Sequence, residues 1–393
     1  MIELSNAESE YLDRVRAFSQ DVVAPAASQC SGAADIDSAI QEAAANLGLF
    51  GIEVPAEHGG LGYGFSVKAR VCEVLAGADF GFAMSVINTQ NVALRLSREA
   101  STGVQERWLQ ALLEGKTSSC TALTEPGAGS DLSAMQSTAR QVDGGWSLNG
   151  EKTWIVNGRR AGLAIVYARC TDEVNADAGA LADTLAAFAV DTSATGVESY
   201  AIDSHFSQHA LASGGLRMHD VVVSEDAMIL PPGRALKSIL LELNCARVYL
   251  AAMCCGMLSE ALAQVSGYGE QRASFGVSLF THQSWRFYLS RALVDLEASR
   301  SLLERAIHTI ETGNDAQRLA AISKVHAVDI CQKHLPALLH AMGAEGLRST
   351  YCFARHVAAS QFASLTDGST EMLLERIARL SWPNAIQSNS TVS

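Results

Sequence analysis

Leu123-Thr124-Glu125-Pro126-Gly127-Ala128-Gly129-Ser130-Asp131 divides a helical front from a strand-like middle. Pro126 has no amide donor and fixes its own φ. Gly127 and Gly129 open backbone conformations closed to other residues. Thr124 and Ser130 add hydroxyls that donate or accept. The product is a tight polar loop whose N–H groups can face a ligand, suited to a polar cofactor edge or an anion. Taken alone, an ordinary glycine–proline connection is an equal reading, because short glycine loops are common.

Asn149-Gly150-Glu151-Lys152-Thr153-Trp154-Ile155-Val156-Asn157-Gly158 follows closely. Asn149-Gly150 and Asn157-Gly158 each predict a hairpin turn, with Trp154 and Ile155 in the strand between them. A large aromatic at a strand end can back a planar ring system. Around these two stretches, residues 119–233 carry short β-type runs: Trp146 to Leu148, Ala164 to Tyr167, Leu185 to Val190 and Val221 to Val223. They predict a small β-barrel or sandwich. Asp172 to Thr184 is small, polar and acidic, which predicts a mobile surface loop.

Further out, both flanks turn helical. In residues 1–118, Ser5-Asn6-Ala7-Glu8 caps a first helix. Tyr11, Val15, Phe18 and Val22 continue it at helical spacing, and Pro25 is expected to end it. Asp37 to Leu47, Ser66 to Gly77, Phe82 to Leu96 and Val104 to Leu113 supply further helices, with a glycine-rich turn at Glu57-His58-Gly59-Gly60-Leu61-Gly62. Phe80 to Met84 reads as core packing, and is apolar enough to line an acyl pocket. In residues 234–382, Val248, Ala252, Cys255, Leu258, Leu262 and Val265 define one apolar face. Leu289, Leu293, Leu296, Leu303, Ile307 and Ile310 define a second, Arg318 to Met342 a third helix and Met372 to Leu380 a fourth, together a four-helix bundle. Residues 383–393 read as a frayed tail. The expected fold is therefore mainly α with a central β domain.

Composition narrows the function classes. The 393 residues are 48% apolar, enough for a large core. Charged and polar residues interrupt the apolar runs, so no membrane helix is expected, and Met1 to Asn6 lacks the basic start of a signal peptide. Nine cysteines without a CxxC pair point to reduced cytoplasmic thiols and to neither a disulfide frame nor a metal site. A net charge of −13 speaks against nucleic acid or an anionic membrane as partner.

The stretches 123–131 and 149–158 together resemble the acyl-CoA dehydrogenase family, whose flavin is held by a TEPGAGSD-type loop and a GEKxWITNG-type strand. The resemblance implies an N-terminal helical domain, a β domain and a C-terminal four-helix bundle, with bound FAD touched by Leu123, Thr124, Gly129, Ser130, Trp154, Ile155 and Val156. Gln271-Arg272-Ala273-Ser274-Phe275-Gly276, with His282-Gln283 beyond it, resembles the family's R-x-x-F-G…HQ segment. That implies Arg272, Phe275, His282 and Gln283 at the diphosphate and adenine end of FAD, shared across a subunit boundary, since arginine forks onto phosphate and phenylalanine covers an apolar ring. The other reading is a helix-ending glycine with a capping arginine. His340-Ala341-Met342-Gly343-Ala344-Glu345-Gly346 resembles the Q-x-x-GG-x-G turn. His340 replaces glutamine and Ala344 the second glycine, which leaves the implied FAD contact at Gly343 to the backbone and alters the one at His340.

Asp367-Gly368-Ser369-Thr370-Glu371 resembles the EGT/S-x-E segment, whose leading glutamate takes the substrate α proton. The resemblance implies Asp367 as that base, Ser369 and Glu371 as FAD contacts, and Ser130, Asn244, Arg247 and Gly368 as substrate contacts. Asp367 as a plain turn residue is the alternative. The base used by an isovaleryl-type branch of the family is absent, because Ala246 stands at that position. Relatives that bind coenzyme A often have Asp-x-Thr-Arg where this chain has Asn244-Cys245-Ala246-Arg247. Gly129 to Met135 and Gly368 to Met372 look like the subset acting on acyl carrier proteins in polyketide pathways. The implied enzyme is an FAD-dependent acyl-thioester dehydrogenase, its substrate carried on acyl carrier protein or coenzyme A. An electron-transfer flavoprotein is the implied acceptor and a homotetramer or homodimer the implied assembly. Aspartate as base also occurs in a relative that oxidises nitroalkanes, so a flavin oxidase and a non-catalytic flavin-binding homologue are the other classes.

Overall fold

The computed structural model describes residues 4–29, 35–171, 180–204, 206 and 210–387. The chain begins with helix α1 (Asn6–Phe18), opened by the capping box foreseen at Ser5 and Glu8. Pro25 does not end it. A π-helical turn over Ser19–Val23 leads directly into α2 (Ala24–Gln29). The widened turn shifts the hydrogen-bond register just ahead of the proline, where its missing N–H and its ring would otherwise break the helix. Helices α3 (Ser38–Asn46), α4 (Phe65–Ala78), α5 (Phe80–Glu99) and α6 (Thr102–Leu113) follow. Phe80, Phe82, Ala83 and Met84 are all buried.

The middle of the chain supplies β1 (Ser119–Ala122), β2 (Thr138–Val142), β3 (Gly145–Ile155) and β4 (Leu163–Thr171). Helix α7 (Leu181–Thr184) and strands β5 (Leu185–Asp191), β6 (Val197–Ala201), β7 (Gly214–Ser224) and β8 (Met228–Leu230) complete it. They form one eight-stranded mixed sheet in the order β6-β7-β3-β2-β4-β5-β8, with β1 parallel to the first half of β4. Leu148, Val166, Phe188, Leu216, Met218 and Val221 belong to its core. Of the acidic stretch expected as a surface loop, 172–179 lies outside the described residues, and its far end is α7.

Asn149-Gly150 is not a hairpin. It is an irregularity within β3, where the pairing with β7 shifts register between Leu148 and Gly150. Gly150 has φ 142°, and a Cβ there would come within 2.3 Å of the Ser137 hydroxyl. Asn149 bonds Asp220 of β7 through both ends of its amide, at 2.9 Å each, so the dipeptide marks a bulge.

The C-terminal half holds α8 (Ala235–Gln271), a two-stranded hairpin of β9 (Ala273–Ser274) and β10 (Val277–Ser278), then α9 (Gln283–Glu311) and α10 (Gln317–Met342). After these come α11 (Phe353–Leu365), α12 (Thr370–Ser381) and α13 (Pro383–Gln387). Helix α11 is additional to the four expected. Its buried face is Phe353, His356, Ala359, Ser360 and Ala363, too polar and small to register as an apolar stripe. In the expected tail, 383–387 is helical and 388–393 lies outside the described residues. Helix α8 does meet the length and apolarity of a membrane span, against expectation, but 72% of its most apolar window is buried inside the protein.

Two compact units result, one of Met1–Ser31, Phe65–Ala83 and Leu243–Ser393, the other of Gly32–Gly64 and Met84–Glu242. In the first, α10 packs against α9, α11 and α12. Ion pairs Arg70–Glu304 (3.0 Å) and Arg300–Glu73 (2.7 Å) tie α4 to α9. The second unit is built around the sheet.

Candidate functional site

The 123–131 loop closes on itself. The Glu125 and Ala128 backbones exchange hydrogen bonds of 3.0 and 3.1 Å around Pro126-Gly127. Neither Gly127 nor Gly129 has positive φ, so the unusual conformations expected of them are not used. What the glycines leave is room: a Cβ at Gly127 would meet nothing within 4 Å, and one at Gly129 only the Thr124 methyl at 3.8 Å.

The loop is fastened to β3 at three successive residues. Lys152 Nζ donates to the Leu123 carbonyl (3.1 Å) and to Glu125 Oε1 (2.7 Å), and the Thr153 N–H donates to the Thr124 carbonyl (3.0 Å). Glu125 also accepts from the N–H groups of Gln136 (2.7 Å) and Ser137 (2.9 Å). Lys152 is fully buried and Glu125 nearly so. The two partners respond differently. Burial drives the Glu125 carboxyl up, but the Lys152 charge and the hydrogen bonds outweigh it and hold the group below the usual range. Burial pulls Lys152 down to about 8 against the opposing charge of Glu125. With both carboxylate oxygens bonded, the pair is ionised at neutral pH.

These bonds place Leu123 and Thr124 beside the strand end that carries Trp154, Ile155 and Val156. Ile155 and Val156 are buried, while Trp154 is 54% exposed at φ 55°. Asn157 stands in a turn, as foreseen, at φ 63°, and is also a fully buried anchor for that strand end. Its amide donates to the carbonyls of Ser85 and Ser119 (3.1 Å each) and accepts from the Ser85 hydroxyl (2.8 Å). Ser130 is exposed at the far end of the loop.

In the other unit, the β9–β10 hairpin presents Phe275 at its tip, 96% exposed at φ 52°. Arg272 is exposed at its base, where its carbonyl accepts from the Leu279 N–H (2.9 Å). His282 braces the tip, with Nε2 3.3 Å from the Ser274 carbonyl and its ring edge-on to Phe275 at 6.3 Å. Gln283 opens α9. Two residues on, the Trp285 indole donates to the Ala341 carbonyl (3.0 Å), which brings the hairpin together with the exposed His340 and Gly343 at the end of α10.

Asp367 lies in the connection between α11 and α12 at φ 56°, followed by Gly368 at φ 103°. Ser369 is the N-cap of α12, its hydroxyl accepting from the Met372 N–H (3.3 Å), and Glu371 is exposed in the first turn. Arg247 Nε donates to the Asp367 carbonyl (3.0 Å) and Nη1 to Asn244 Oδ1 (2.8 Å). Asn244 and Arg247 are buried, and Arg247 bonds the turn directly while Asn244 bonds Arg247. Lys324 of α10 donates to the carbonyls of Thr366 and Gly368. Burial pulls Arg247 down to about 10, helped by Arg376, while Asp367 opposes it.

The family models for the N-terminal, middle and C-terminal domains of acyl-CoA dehydrogenase match residues 5–116, 120–221 and 234–381. The chain belongs to the acyl-CoA dehydrogenase family. It is 28% identical over 376 residues to the short-chain specific acyl-CoA dehydrogenase of Megasphaera elsdenii, covering 94% of this chain and 97% of that one. The mitochondrial short-chain specific enzyme of Homo sapiens is 26% identical over 373 residues, covering 94% and 89%. Among solved structures, butyryl-CoA dehydrogenase from Megasphaera elsdenii superposes with a TM-score of 0.86 at 26% identity, covering 96% of this chain and 98% of that one.

Four residues of this acyl-CoA dehydrogenase chain escaped the sequence reading: Glu125, Lys152, Trp285 and Lys324. Glu125 and Lys152 stood inside the quoted motifs, yet a charge in a polar loop reads as solvated until its partner is known. Lys324 had a usable signal. It is a lone cation on the α10 face that also buries Ala320, Ala321, Val325, Ala327 and Val328.

Proposed function

We propose that this protein is an FAD-dependent dehydrogenase that oxidises the Cα–Cβ bond of an acyl thioester, with Asp367 as the base. The observation that carries this reading is the Asp367 turn: a carboxylate on a left-handed backbone whose carbonyls are taken by buried cations. The residues present suit FAD. Trp154 offers an exposed ring above a buried strand end, the space at Gly127 admits close backbone approach, and Arg272 and Phe275 supply a phosphate fork and a ring cover at one hairpin. When bound, oxidised flavin supplies the acceptor for the β hydride.

The thioester carbonyl acidifies the α C–H, and the Asp367 carboxylate takes that proton. Arg247 and Lys324 hold the turn that delivers it. Leu123, Thr124 and Trp154 orient the flavin edge, and Glu125 with Lys152 keeps their loop in place.

We read the acyl carrier as a carrier protein in preference to coenzyme A, because Asn244 and Ala246 replace two groups that commonly help hold coenzyme A. Both side chains are buried, and Asn244 is engaged with Arg247. Reduced flavin is proposed to pass electrons to an electron-transfer flavoprotein. Anaerobic flavin bleaching against matched acyl-carrier-protein and acyl-CoA substrates tests the carrier. Higher kcat/KM with the carrier-protein substrate is expected, and equal or better kcat/KM with the coenzyme A ester contradicts it. Fast reoxidation by air with peroxide release would instead identify an oxidase.

A further inference from the structure

Lys324 is a buried charge that the proposed reaction does not use directly. It is 1% exposed in the middle of α10, and an ammonium in such a place is costly unless it is paired. Its Nζ donates to the carbonyl of Thr366, which caps α11, and to the carbonyl of Gly368 (2.5 Å) beyond the turn. Between them, the Asp367 carbonyl accepts from Arg247. Three consecutive carbonyls therefore accept from two buried cations on two different helices. A bond to Thr366 alone would be an ordinary helix C-terminal cap. The second bond, to Gly368, goes past the end of α11 and brackets the residue between.

We propose that Lys324 is a positioning residue for Asp367, clamping the turn on both sides and supplying the positive charge that keeps the Asp367 carboxylate ionised. This rests on the reading of Asp367 as the base. The groups around the turn are Arg247 and Cys254 from α8, Lys324 from α10 and Arg376 from α12. Arg247 and Lys324 are the cations whose charges meet the carboxylate of Asp367, while Arg376 acts on Arg247. Burial pulls Lys324 down to about 8, and the charge of Asp367 opposes that fall, so Lys324 is still protonated at neutral pH.

The test is an infrared titration of the purified, flavin-loaded protein carrying aspartate labelled with carbon-13 at the side-chain carboxyl. The Asp367 band is assigned by its loss in Asp367→Asn. In Lys324→Met the titration midpoint is expected to rise by about one pH unit or more, the scale of one lost opposite charge nearby. The pH profile of flavin reduction should move with it. Lys324→Gln keeps an amide donor and removes the charge, so the same rise is expected if the methionine variant fails to fold. An unchanged midpoint in either folded variant overturns the proposal. Failure of Asp367 as the base is seen separately, as undiminished flavin reduction in Asp367→Asn, and does not alter the infrared result.

Discussion

Seven described residues other than glycine have positive φ, and three of them are Trp154, Phe275 and Asp367. Each such conformation costs about 1–3 kcal/mol and persists only where its surroundings enforce it. The enforcing contacts are on hand: the Thr153 bond and buried Asn157 beside Trp154, His282 beside Phe275, and Arg247 with Lys324 around Asp367. These three positions were legible in the sequence because each sits inside a compact motif. Their strain was not, because phenylalanine and tryptophan give no sign of positive φ, and aspartate tolerates it without requiring it. Trp154 offers the simplest check. Its ring is more than half exposed, so Trp154→Ala should leave the melting temperature nearly unchanged. Loss of an aromatic face against a planar ring should weaken FAD binding by about ten-fold, read by flavin fluorescence on titration. Unchanged affinity would remove Trp154 from the flavin contacts.

At the scale of elements, the loop 123–131 owes its shape less to its glycines than to β3. The three bonds from Lys152 and Thr153 hold Leu123, Thr124 and Glu125 in register with the strand. Replacing Lys152 with methionine leaves Glu125 buried, charged and half-satisfied. Breaking a buried pair from one side costs about 3–5 kcal/mol, so Lys152→Met should melt well below the wild type and lose FAD at lower temperature. Lys152→Met with wild-type stability would show the pair to be dispensable. Elements were otherwise well foreseen where periodicity was strong, as in α1, α8, α10 and the central strands. The reading failed where local chemistry was overruled by context: Pro25 was accommodated by a π turn, Asn149-Gly150 became a bulge, and α11 hid its buried face behind histidine and serine.

At the scale of the whole chain, the C-terminal unit exposes Phe287, Tyr288, Leu293 and Val294 on α9, along with Leu365, Leu374 and Trp382. Contiguous apolar surface marks an interaction site, and the family resemblance implies a homotetramer or homodimer. Of the face expected on α9, Leu296, Leu303 and Ile307 are buried, joined by Trp285, Ala292 and Ser299, whereas Leu293 is exposed. If Arg272 reaches a flavin shared between subunits, Arg272→Ala should lower both FAD content and the mass seen by light scattering, whereas a flavin-replete monomer in the wild type contradicts the assembly. The helix–sheet–helix order and the motif positions were readable from the sequence. The cations converging on Asp367 were not, because they come from positions 247 and 324 and meet only in the folded bundle. The central claim, that Asp367 removes the α proton, is tested most directly by anaerobic stopped-flow measurement of flavin reduction in Asp367→Asn. The account predicts a folded, FAD-containing protein whose reduction by an acyl thioester is slowed about 10²-fold or more, as for a removed general base. Reduction at a near wild-type rate would contradict it.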